Sequence, residues 1–355
     1  MPKCGTQCIL CDFPVRFDTF SGCRHACEYC FTRRKLDKNI GTEADISSSE
    51  GPISLRSFIE GERKGEVAWV DWDLPIHIGG MSDPYQPEEK EKRRTFECLK
   101  ILAETKYPFI ISTKGRLAAE KEYLDIISKC NVCFQISLVS PNYNKLEQGA
   151  PPFEERIEMI KKISKVVPRL NIRIQPYMIE ELNSVMEILL PKIKEAGAYG
   201  VTIEGMKAWK GKLPGMEAVG GDMCYPTWLL EEHFLKIKNR AHDIGLGFWS
   251  GENRLRFMGD SLGCCGCDDM EGFVGNKYNL NHFYSGENPQ PTEAMKKIGT
   301  TICFRSLCQA AWCGDVLDQL PFDLMMREIA KSEYGYTTMG LEIDNRKLNT
   351  FDIRM

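Results

Sequence analysis

The sequence lacks the features of a protein that is exported or that crosses a membrane. No stretch of its 355 residues approaches the roughly 20 consecutive apolar residues of a transmembrane helix. The opening segment, MPKCGTQCILCDFP, has no apolar run behind a basic segment and so does not follow the pattern of a secretory signal. With 43% hydrophobic residues, the chain can bury one large core. These features predict a soluble, cytoplasmic, globular protein with no membrane partner.

An excess of positive charge is also missing. The chain has 46 basic and 50 acidic residues and a formal net charge of −4 at pH 7, so it has no global basic field for nucleic acid. The dense basic run TRRKLDK, with its charges at residues 33–38, makes any nucleic-acid contact local. There are also no repeats of solenoid period and no long low-complexity linker.

Cysteine, in contrast, is abundant. Sixteen cysteines in a small secreted domain would suggest disulfides, but this chain is large and its start does not resemble an export signal. The same count then favours metal or redox chemistry. We therefore expect most of the clustered cysteines to be ligands.

The hydrophobic pattern alternates between short β-like runs and helical stretches, which is typical of βα units around a parallel sheet. About six units are predicted, and a later helix near residues 228–242 and the run LGFWSGE could close the series. The predicted strands cover residues 15–20, 75–78, 109–112, 132–138, 171–175 and 200–204. The predicted helices between them cover residues 88–105, 118–128, 153–166 and 183–196, with Ile157, Ile160 and Ile163 as one buried stripe.

Three regions are expected on this basis. Residues 1–14 are a cysteine-containing extension, residues 15–250 are the βα region, and residues 251–355 are an irregular region rich in Cys, Gly and Asn with a last helix near residues 322–332. We interpret the last region as a cap held by metal.

The stretch SGCRHACEYCF places Cys23, Cys27 and Cys30 at C-x3-C-x2-C spacing, with Tyr29 inside the motif. A structural zinc site normally has four protein ligands, whereas three thiolates suit an iron–sulfur cluster that keeps one iron open. A structural zinc site or a chance spacing is the alternative. The motif follows a predicted strand and precedes a basic stretch predicted to be helical.

CRHACEYC resembles the cluster motif of the radical S-adenosylmethionine (SAM) superfamily. That resemblance implies a partial (β/α)6 TIM-type barrel of the α/β class, with Cys23, Cys27 and Cys30 holding a catalytic [4Fe-4S] cluster whose open iron chelates SAM. It also implies reductive cleavage of SAM to a 5′-deoxyadenosyl radical that abstracts hydrogen from a substrate. A reductase such as flavodoxin or ferredoxin would be the electron-supplying partner.

Three further stretches, IGGMSDPYQPEEKEKRRTFECL, ISTKGRL and LEQGAPPFEERIEMI, resemble the spore photoproduct lyase-like group of this superfamily. The resemblance implies that residues near the carboxyl ends of the strands bind SAM, as barrel enzymes do. The SAM amino group would meet Gly79, Gly80, Met81 and Ser82, its carboxylate Lys114 and its ribose Ser137, with Tyr29 and Arg173 as further cofactor-binding residues. Without the family, Lys114 would be a solvated loop lysine and Ser137 a core hydroxyl.

One departure from that group concerns the hydrogen-donating cysteine of the photoproduct lyase, which precedes the Ser-Asp pair that Ser82 and Asp83 match. Here Gly80 and Met81 occupy that neighbourhood, and neither can return a hydrogen atom. Repair of spore photoproduct is therefore doubtful, unless another cysteine takes over the donor role. The candidates for that role are Cys98, Cys130, Cys133 and Cys224, although free cysteines of this kind are usually buried small hydrophobes.

Nine further thiols lie outside the SAM motif and the predicted barrel strands. They are Cys4, Cys8 and Cys11, which repeat the C-x3-C-x2-C spacing, then Cys264, Cys265 and Cys267, and finally Cys303, Cys308 and Cys313. They could supply one or two auxiliary iron–sulfur clusters, or one cluster and a zinc, since sequence cannot pair distant ligands. Structural thiols without metal are the alternative.

The sequence leaves the substrate open between two classes. A nucleobase in a nucleic acid or a free nucleotide follows from the photoproduct lyase resemblance, while a peptide or small metabolite suits the acidic balance and the extra cysteines. A non-catalytic iron–sulfur or zinc module is the third possibility.

Overall fold

The computed structural model describes residues 2–4, 11–32, 45–46, 50–208, 211, 213–219, 222–279, 281–282, 285, 287 and 292–294. Its main feature is a sheet of seven parallel strands. In chain order these are β1 (Val15–Phe17), β2 (Ile76–Ile78), β3 (Phe109–Thr113), β4 (Val132–Ser137), β5 (Arg169–Tyr177), β6 (Gly200–Gly205) and β7 (Gly247–Ser250).

The strands lie side by side in their order along the chain, so each βα unit adds the next neighbour. Each adjacent pair from β1 to β7 is parallel. The short strand Lys3–Cys4 pairs antiparallel with β1 and forms the other edge. Because β7 does not pair with that edge within the described residues, the sheet is an incomplete barrel. The prediction of an α/β fold with a partial TIM-type barrel is confirmed.

The strands form where β-branched and aromatic residues are concentrated, as in FIIST and VCFQIS of β3 and β4. Both strands are almost wholly buried, as expected of a parallel sheet covered on its outer face. All six predicted strands are present, although the first is shorter than expected. The run LGFWSGE contributes β7, so the series has seven parallel strands rather than six.

The helices cover the outside of the sheet. They are Pro52–Ile59, Glu89–Lys92, Arg94–Thr105, Lys121–Ile127, Phe153–Ile163, Leu182–Ser184, Leu190–Glu195 and Thr227–Asp243. Ile157, Ile160 and Ile163 are at most 4% exposed, so the predicted stripe does face the core. The region therefore buries one continuous hydrophobic cluster.

The predicted helix over residues 88–105 is wrong in one respect, because the chain breaks it at Arg93. Arg93 has a positive φ of 54°, and a new helix begins at the next residue. The carboxylate of buried Glu89 accepts hydrogen bonds from the backbone N–H groups of Thr95 and Phe96, both at 2.8 Å. It thus satisfies donors that the first turn of the second helix would otherwise leave unpaired.

Two other predicted helices are also interrupted. A 3₁₀ turn, Arg116–Ala119, precedes Lys121–Ile127, and a π turn, Val185–Leu189, joins Leu182–Ser184 to Leu190–Glu195. A pattern of apolar spacing does not distinguish 3₁₀, α and π turns, because over a single turn each of them places its apolar side chains on nearly the same face of the helix.

Smaller elements surround the barrel mouth. Phe20–Ser21 pairs with Asp45–Ile46, and Lys207–Ala208, Glu217–Val219 and Asp222–Cys224 form a three-stranded sheet. A 3₁₀ segment, Asn253–Met258, follows β7, and residues 259–279 contain no helix or strand. That segment lies within the region predicted to be irregular, and the predicted helix near residues 322–332 and the basic run at residues 33–38 lie outside the described residues.

In the described part of the chain, no helix is long and apolar enough to cross a membrane.

Candidate active site

A cavity of about 430 Å³ is lined by residues at and just after the carboxyl ends of the strands. Its lining includes residues from β2 to β6 and from the loops that follow β1, β2, β3 and β6. Eleven residues predicted to bind the cluster or SAM line this one cavity: Cys23, Cys27, Tyr29, Cys30, Gly79, Gly80, Met81, Ser82, Lys114, Ser137 and Arg173. Residues separated by up to 150 positions are thus brought to a single site.

The loop with Cys23, Cys27 and Cys30 is held at several points by other parts of the chain. The backbone N–H of Arg24 donates to Oε1 of buried Gln86 at 2.9 Å, and Glu28 N–H donates to the carbonyl of Leu146 at 2.9 Å. Cys30 N–H donates to the Cys27 carbonyl at 3.1 Å. These bonds fix the turn that carries the thiols before any ligand binds.

Gly149 provides a further contact to this loop. An added Cβ at position 149 would lie 2.3 Å from the Arg24 carbonyl oxygen, so a side chain does not fit there. Gly149 also donates its N–H to the His25 carbonyl at 3.2 Å and accepts at its own carbonyl from His25 Nδ1 at 2.9 Å. The stretch LEQGAPP is therefore shaped to support the cysteine loop.

Asp83 connects the cysteine loop to the ends of β2 and β3. Its carboxylate accepts from the Thr113 hydroxyl at 2.7 Å and from Lys114 N–H at 2.6 Å, and it lies 3.1 Å from His25 Nε2. Burial alone would raise the pKa of Asp83, but His25 and these hydrogen bonds outweigh it and bring the pKa to about 2. The carboxylate is therefore ionised at neutral pH and fixes three segments at once.

The turn after β2 brings its backbone close to the neighbouring strand. Gly79 has a positive φ of 88°, and a Cβ there would lie 2.3 Å from the Ser112 carbonyl oxygen. The Met81 N–H donates to Asp18 at 2.8 Å, and the Ser82 hydroxyl donates to the Phe20 carbonyl at 2.7 Å. Two of the four predicted contacts to the SAM amino group are therefore already hydrogen-bonded within the protein.

Lys114 projects into the cavity beside a buried charge network. Its Nζ lies 3.9 Å from Oε1 of Glu147 and 5.7 Å from the centre of the Tyr29 ring. Glu147 accepts hydrogen bonds from the Tyr29 hydroxyl and from Arg156, and Arg156 donates to the Ser137 carbonyl at 2.7 Å. Tyr29, Lys114 and Arg156 thus meet at one carboxylate, and Arg156 extends the network to Ser137.

The pKa directions in this network follow from its charges. Burial alone would lower the pKa of Lys114, but the Cys27 thiol and Glu147 carboxylate outweigh burial and raise it. Burial alone would raise the pKa of Glu147, but Arg156 and Lys114 lower it. Both groups are therefore charged at neutral pH, and Lys114 offers a cation to an anionic ligand group.

A chain of inward-facing polar side chains crosses the barrel from β2 to β6. His77 Nε2 lies 2.7 Å from Ser112 Oγ, and Ser112 in turn donates to Gln135 Oε1 at 2.9 Å. Arg173 donates to the same oxygen at 3.1 Å and to Gln175 Oε1 at 3.0 Å from its Nε. Gln175 donates to Glu204, which also accepts from Lys207 at 2.9 Å. This polar chain lies along a different part of the cavity wall from the cysteine loop.

The floor of the cavity is formed by the GCCGC loop from the cysteine-rich region. Side chains from the strands hold its backbone: Thr202 donates to the Cys264 carbonyl at 2.6 Å, and Asn171 and Gln135 donate to the Cys265 carbonyl at 2.8 and 3.3 Å. Cys264 and Cys265 line the cavity, as does Cys11. A second group of thiols therefore faces the same space as the first.

Cys267 is placed differently from its two neighbours. It does not line the cavity, and burial together with the neighbouring Cys133, near the start of β4, raises the pKa of its thiol. The described residues contain no group of three or more His, Cys, Asp or Glu side chains close enough to hold a metal ion in the present arrangement. Cys8, Cys303, Cys308 and Cys313 lie outside the described residues, and Cys4 is described only as part of an edge strand.

The chemistry of the first thiol group suits a metal cluster. Burial raises the pKa of Cys23 to about 12 and that of Cys27 to about 11, so neither thiol ionises readily without a bound cation. A metal supplies that charge and holds thiolates as ligands. Three thiols on one eight-residue loop beside an open cavity therefore match the number and type of protein ligands of such a cluster, and the thiols would have to draw closer together to hold it.

The sequence agrees with the model of one protein family, the radical SAM superfamily, over residues 17–189. That segment contains the cysteine loop, Asp83, Lys114 and Glu147. It is a radical SAM superfamily domain. The superfamily implies a [4Fe-4S] cluster and SAM as cofactors, and it implies that the protein is an enzyme.

Solved structures of spore photoproduct lyase share the fold of the chain that contains this radical SAM domain. One, with bound AdoMet and dinucleoside spore photoproduct, gives a TM-score of 0.54 at 14% identity and covers 67% of this chain and 76% of the other. Another, complexed with dinucleoside spore photoproduct, gives a TM-score of 0.54 at 15% identity with the same coverage. At this identity the likeness shows the fold alone, and the predicted spore photoproduct lyase-like architecture is confirmed.

Curated relatives include the uncharacterized protein Rv2578c of Mycobacterium tuberculosis and the uncharacterized protein Mb2609c of Mycobacterium bovis. Each is 26% identical to this chain over 208 residues. The match covers 54% of this chain and 59% of the relative, so the chain spans about six tenths of the length of these proteins.

Two site residues, Glu147 and Arg156, had no role assigned from sequence. Both are nearly fully buried and bonded to each other beneath the cysteine loop. The signal was present in LEQGAPPFEERIEMI, where Glu147 precedes and Arg156 follows a Gly-Ala-Pro-Pro turn, but charges near a helix start are usually solvated. The suggestion that Cys98, Cys130, Cys133 or Cys224 replaces the missing hydrogen donor is wrong, because each is at most 7% exposed and none lines the cavity.

Proposed function

We propose that the protein cleaves SAM reductively at the cavity and uses the resulting radical to abstract hydrogen from a small substrate. The observation that carries this proposal is that Cys23, Cys27, Cys30 and Lys114 face one cavity inside a radical SAM domain. When bound there, a [4Fe-4S] cluster supplies the electron that cleaves SAM into methionine and a 5′-deoxyadenosyl radical.

In this proposal Cys23, Cys27 and Cys30 are the protein ligands of the cluster. Hydrogen bonds from the loop to Gln86, Leu146 and the Gly149 region hold the thiols in place. Lys114 pairs with the SAM carboxylate, because it is charged, faces the cavity and follows β3 directly. Glu147 balances that charge when SAM is absent.

The glycine turn after β2 would receive the SAM amino group. Gly79 and Gly80 expose their backbone to the cavity, and Gly80 has open space where a Cβ would lie, with its nearest neighbour at 3.9 Å. Since the Ser82 hydroxyl is bonded to Phe20, we assign Ser82 to support of the turn rather than to contact with SAM. Ser137 and Arg173 remain the candidates for the ribose side.

We infer a substrate of nucleobase or nucleotide size. Spore photoproduct lyase, which shares the fold, binds a dinucleoside spore photoproduct. The polar chain from His77 to Lys207 offers both donors and acceptors, as recognition of a base edge requires. A peptide or small metabolite is the second candidate, favoured by the extra thiols and the acidic balance of the chain.

One auxiliary iron–sulfur cluster is a further part of the proposal. Cys4, Cys8, Cys11, Cys303, Cys308 and Cys313 provide six thiols outside the SAM motif, enough for one cubane cluster with ligands to spare. The reductive step also needs an electron source such as a flavodoxin or a ferredoxin.

The test compares two triple variants of the full chain, reconstituted anaerobically with iron and sulfide and supplied with SAM and dithionite. Replacing Cys23, Cys27 and Cys30 by Ala should abolish 5′-deoxyadenosine formation, measured by chromatography. Replacing Cys4, Cys8 and Cys11 by Ala should leave it measurable. The reverse result would contradict the assignment of the catalytic motif.

The substrate class has its own test. Binding of a labelled oligonucleotide that weakens steeply with added salt would support the nucleic-acid reading, because phosphate contacts release counterions. If nucleotides do not stimulate SAM cleavage, and if oligonucleotide binding is absent or independent of salt, the substrate is instead a peptide or a small metabolite.

A further inference from the structure

The lysine and arginine side chains that line the cavity differ in how their charges are balanced. Among the described residues, three of them lie beside a carboxylate, in the pairs Arg16–Asp18, Lys114–Glu147 and Lys207–Glu204, at 3.7, 3.9 and 2.9 Å. The fourth is Arg173, whose guanidinium forms no ion pair in the part of the chain that the structure describes. Arg173 therefore places a positive charge in the cavity that no described carboxylate balances.

Two neutral amides orient this guanidinium. Nη1 of Arg173 donates to Gln135 Oε1 at 3.1 Å, and its Nε and Nη2 donate to Gln175 Oε1 at 3.0 and 2.6 Å. Both amides present their oxygen to Arg173 because their nitrogen atoms donate elsewhere, that of Gln135 to the Cys265 carbonyl and that of Gln175 to Glu204. The guanidinium is therefore held in place without being neutralised.

Part of the guanidinium is still available to a ligand. An arginine side chain has five N–H groups, and the bonds to Gln135 and Gln175 use three of them. One N–H remains on Nη1 and one on Nη2. Two N–H donors on one planar cation suit a phosphate or a carboxylate, which can accept from both.

The inward-facing groups around Arg173 do not supply the missing negative charge. Burial and the charge of Arg173 lower the pKa of His77 to about 3, so this imidazole is neutral at pH 7. Ser112 and Gln135, which link His77 to Arg173, are neutral as well. Since a charge partly removed from water is costly without a partner, an anion that enters this part of the cavity would gain a favourable contact.

The cofactor does not supply that anion either. SAM has a single carboxylate, which Lys114 binds in the proposed function. Its ammonium and sulfonium groups are positive, and its ribose and adenine are neutral. An anion that meets Arg173 therefore belongs to the substrate.

We propose that Arg173 binds a phosphate group of the substrate and thereby selects nucleotides over nucleosides. This inference rests on the proposed function and narrows its substrate class. The planar guanidinium matches the oxygen atoms of a phosphate, and the remaining donors and acceptors of the polar chain are left for the base. The phosphate belongs either to a free nucleotide or to a nucleic-acid strand. Of the two candidates for the ribose side of SAM, Ser137 then remains.

Binding to the SAM-loaded protein tests this proposal without turnover. The full chain is reconstituted anaerobically with iron and sulfide, saturated with SAM without a reductant, and titrated calorimetrically. The ligands are the four deoxynucleosides, their 5′- and 3′-monophosphates, and the dinucleotide thymidylyl-thymidine. A charge-assisted hydrogen bond is worth about tenfold to 100-fold in affinity, so at least one phosphorylated ligand should bind that much more tightly than its parent nucleoside. Preference for a monophosphate indicates a free nucleotide, and preference for the dinucleotide indicates a strand.

Three variants assign that preference to one side chain. Arg173→Gln removes the charge, and the ratio of phosphorylated-ligand to nucleoside affinity should fall to near one. Arg173→Lys keeps the charge but not the planar group, and its ratio should be intermediate. Arg116→Gln, which alters an exposed pair with Glu155, should keep the wild-type ratio. Because the ratio compares two ligands on the same protein, a general loss of stability does not change it.

The outcomes separate this proposal from the proposed function. Equal binding of nucleosides and their phosphates by the wild type, or a wild-type ratio in Arg173→Gln, would overturn the phosphate site. The same holds if Arg173→Gln weakens SAM binding and keeps the ratio, since the guanidinium would then bind the cofactor. Failure of the wild type to form 5′-deoxyadenosine with SAM and dithionite would instead overturn the proposed SAM cleavage, which the binding experiment does not measure.

Discussion

Two groups of thiols face each other across one cavity, and the structure supports them in different ways. The loop with Cys23, Cys27 and Cys30 sits on a network of buried charges, in which Asp83, Glu147 and other ionised groups are paired. At Cys264 and Cys265 the floor loop is held by neutral amide and hydroxyl groups that bind its backbone, and a charged group, Arg169, binds the loop only at the next residue, Gly266.

The difference indicates two kinds of chemistry. Buried charges near the first loop match a site that binds a charged cofactor, because their field is fixed before the ligand arrives. Neutral hydrogen bonds to the backbone of the second loop fix the position of Cys264 and Cys265. Their side chains are left to line the cavity. Cysteine alone therefore does not define a site's function, whereas the spacing of the thiols and the charge around them do.

The largest expected effect comes from breaking the charge network beneath the first loop. Arg156→Met leaves Glu147 buried without its main partner, which should lower the free energy of unfolding by about 3–5 kcal/mol. The control Arg116→Met removes an exposed ion pair with Glu155, at 3.2 Å, and should cost at most about 1 kcal/mol. Urea unfolding measures both variants, and equal losses would contradict the distinction between a buried and a solvated pair.

A second prediction concerns Lys114, the member of the same charge network that faces the cavity. Lys114→Ala should weaken SAM binding by about 1–3 kcal/mol, the cost of removing one charge-assisted hydrogen bond. Calorimetric titration of the reconstituted protein with SAM measures the change. Lys121→Ala, which alters only an exposed pair with Asp125, is the matched control. SAM affinity that is unchanged in Lys114→Ala would remove this residue from the cofactor site.

A third prediction concerns the stability of the floor loop when one of its neutral hydrogen-bond donors is removed. Asn171→Ala removes the amide that donates to the Cys265 carbonyl at 2.8 Å and should lower the free energy of unfolding by about 1–3 kcal/mol. Because the first loop is not involved, 5′-deoxyadenosine formation should persist at temperatures where the variant is folded. Complete loss of SAM cleavage in folded Asn171→Ala protein would show that the two thiol groups are not separable.

The effect that is smallest at neutral pH, because it appears only on acidification, lies on the wall between the two groups at His77. Burial and the charge of Arg173 lower the pKa of His77 to about 3, so the folded protein holds a neutral imidazole. The unfolded chain takes up that proton at an ordinary pKa near 6.5. The stabilisation is therefore complete above pH 6.5 and is lost as the pH falls toward 3, by up to about 1.4 kcal/mol per pH unit.

His77→Gln should remove this part of the acid sensitivity. Urea unfolding at pH 7 and pH 5 should give a smaller difference in the variant than in the wild type. The same difference in both proteins would mean that His77 already binds its proton in the folded state.

Much of the barrel could be predicted from sequence because its signals are local. The six strands follow from runs such as FIIST and VCFQIS, and the motif CRHACEYC places three thiols within eight residues. The resemblance of IGGMSDPYQPEEKEKRRTFECL and ISTKGRL to the lyase-like group also pointed to Gly79 and Lys114, which follow β2 and β3 directly. The breaks at Arg93 and at Val185–Leu189 were missed, because they depend on a capping carboxylate and on packing rather than on periodicity.

The parts that were missed depend on contacts between distant positions. Glu147 and Arg156 acquire a role only when the loop near Gly149 folds under the cysteine loop, more than 100 residues away in sequence. The separation of Cys265 from Cys267 likewise follows from Asn171 and Cys133, on two different strands. A sequence pattern shows that thiols are clustered, but not which of them share a cavity.

The most direct test of the account is electron paramagnetic resonance of the reduced, reconstituted protein with and without SAM. We predict that SAM changes the g-values of one [4Fe-4S] signal in the wild type and in C264S/C265S. That SAM-sensitive signal should be absent when Cys23, Cys27 and Cys30 are replaced by Ala. A SAM-sensitive signal that survives the loss of those three thiols, or that disappears with Cys264 and Cys265, would contradict the division of roles between the two thiol groups.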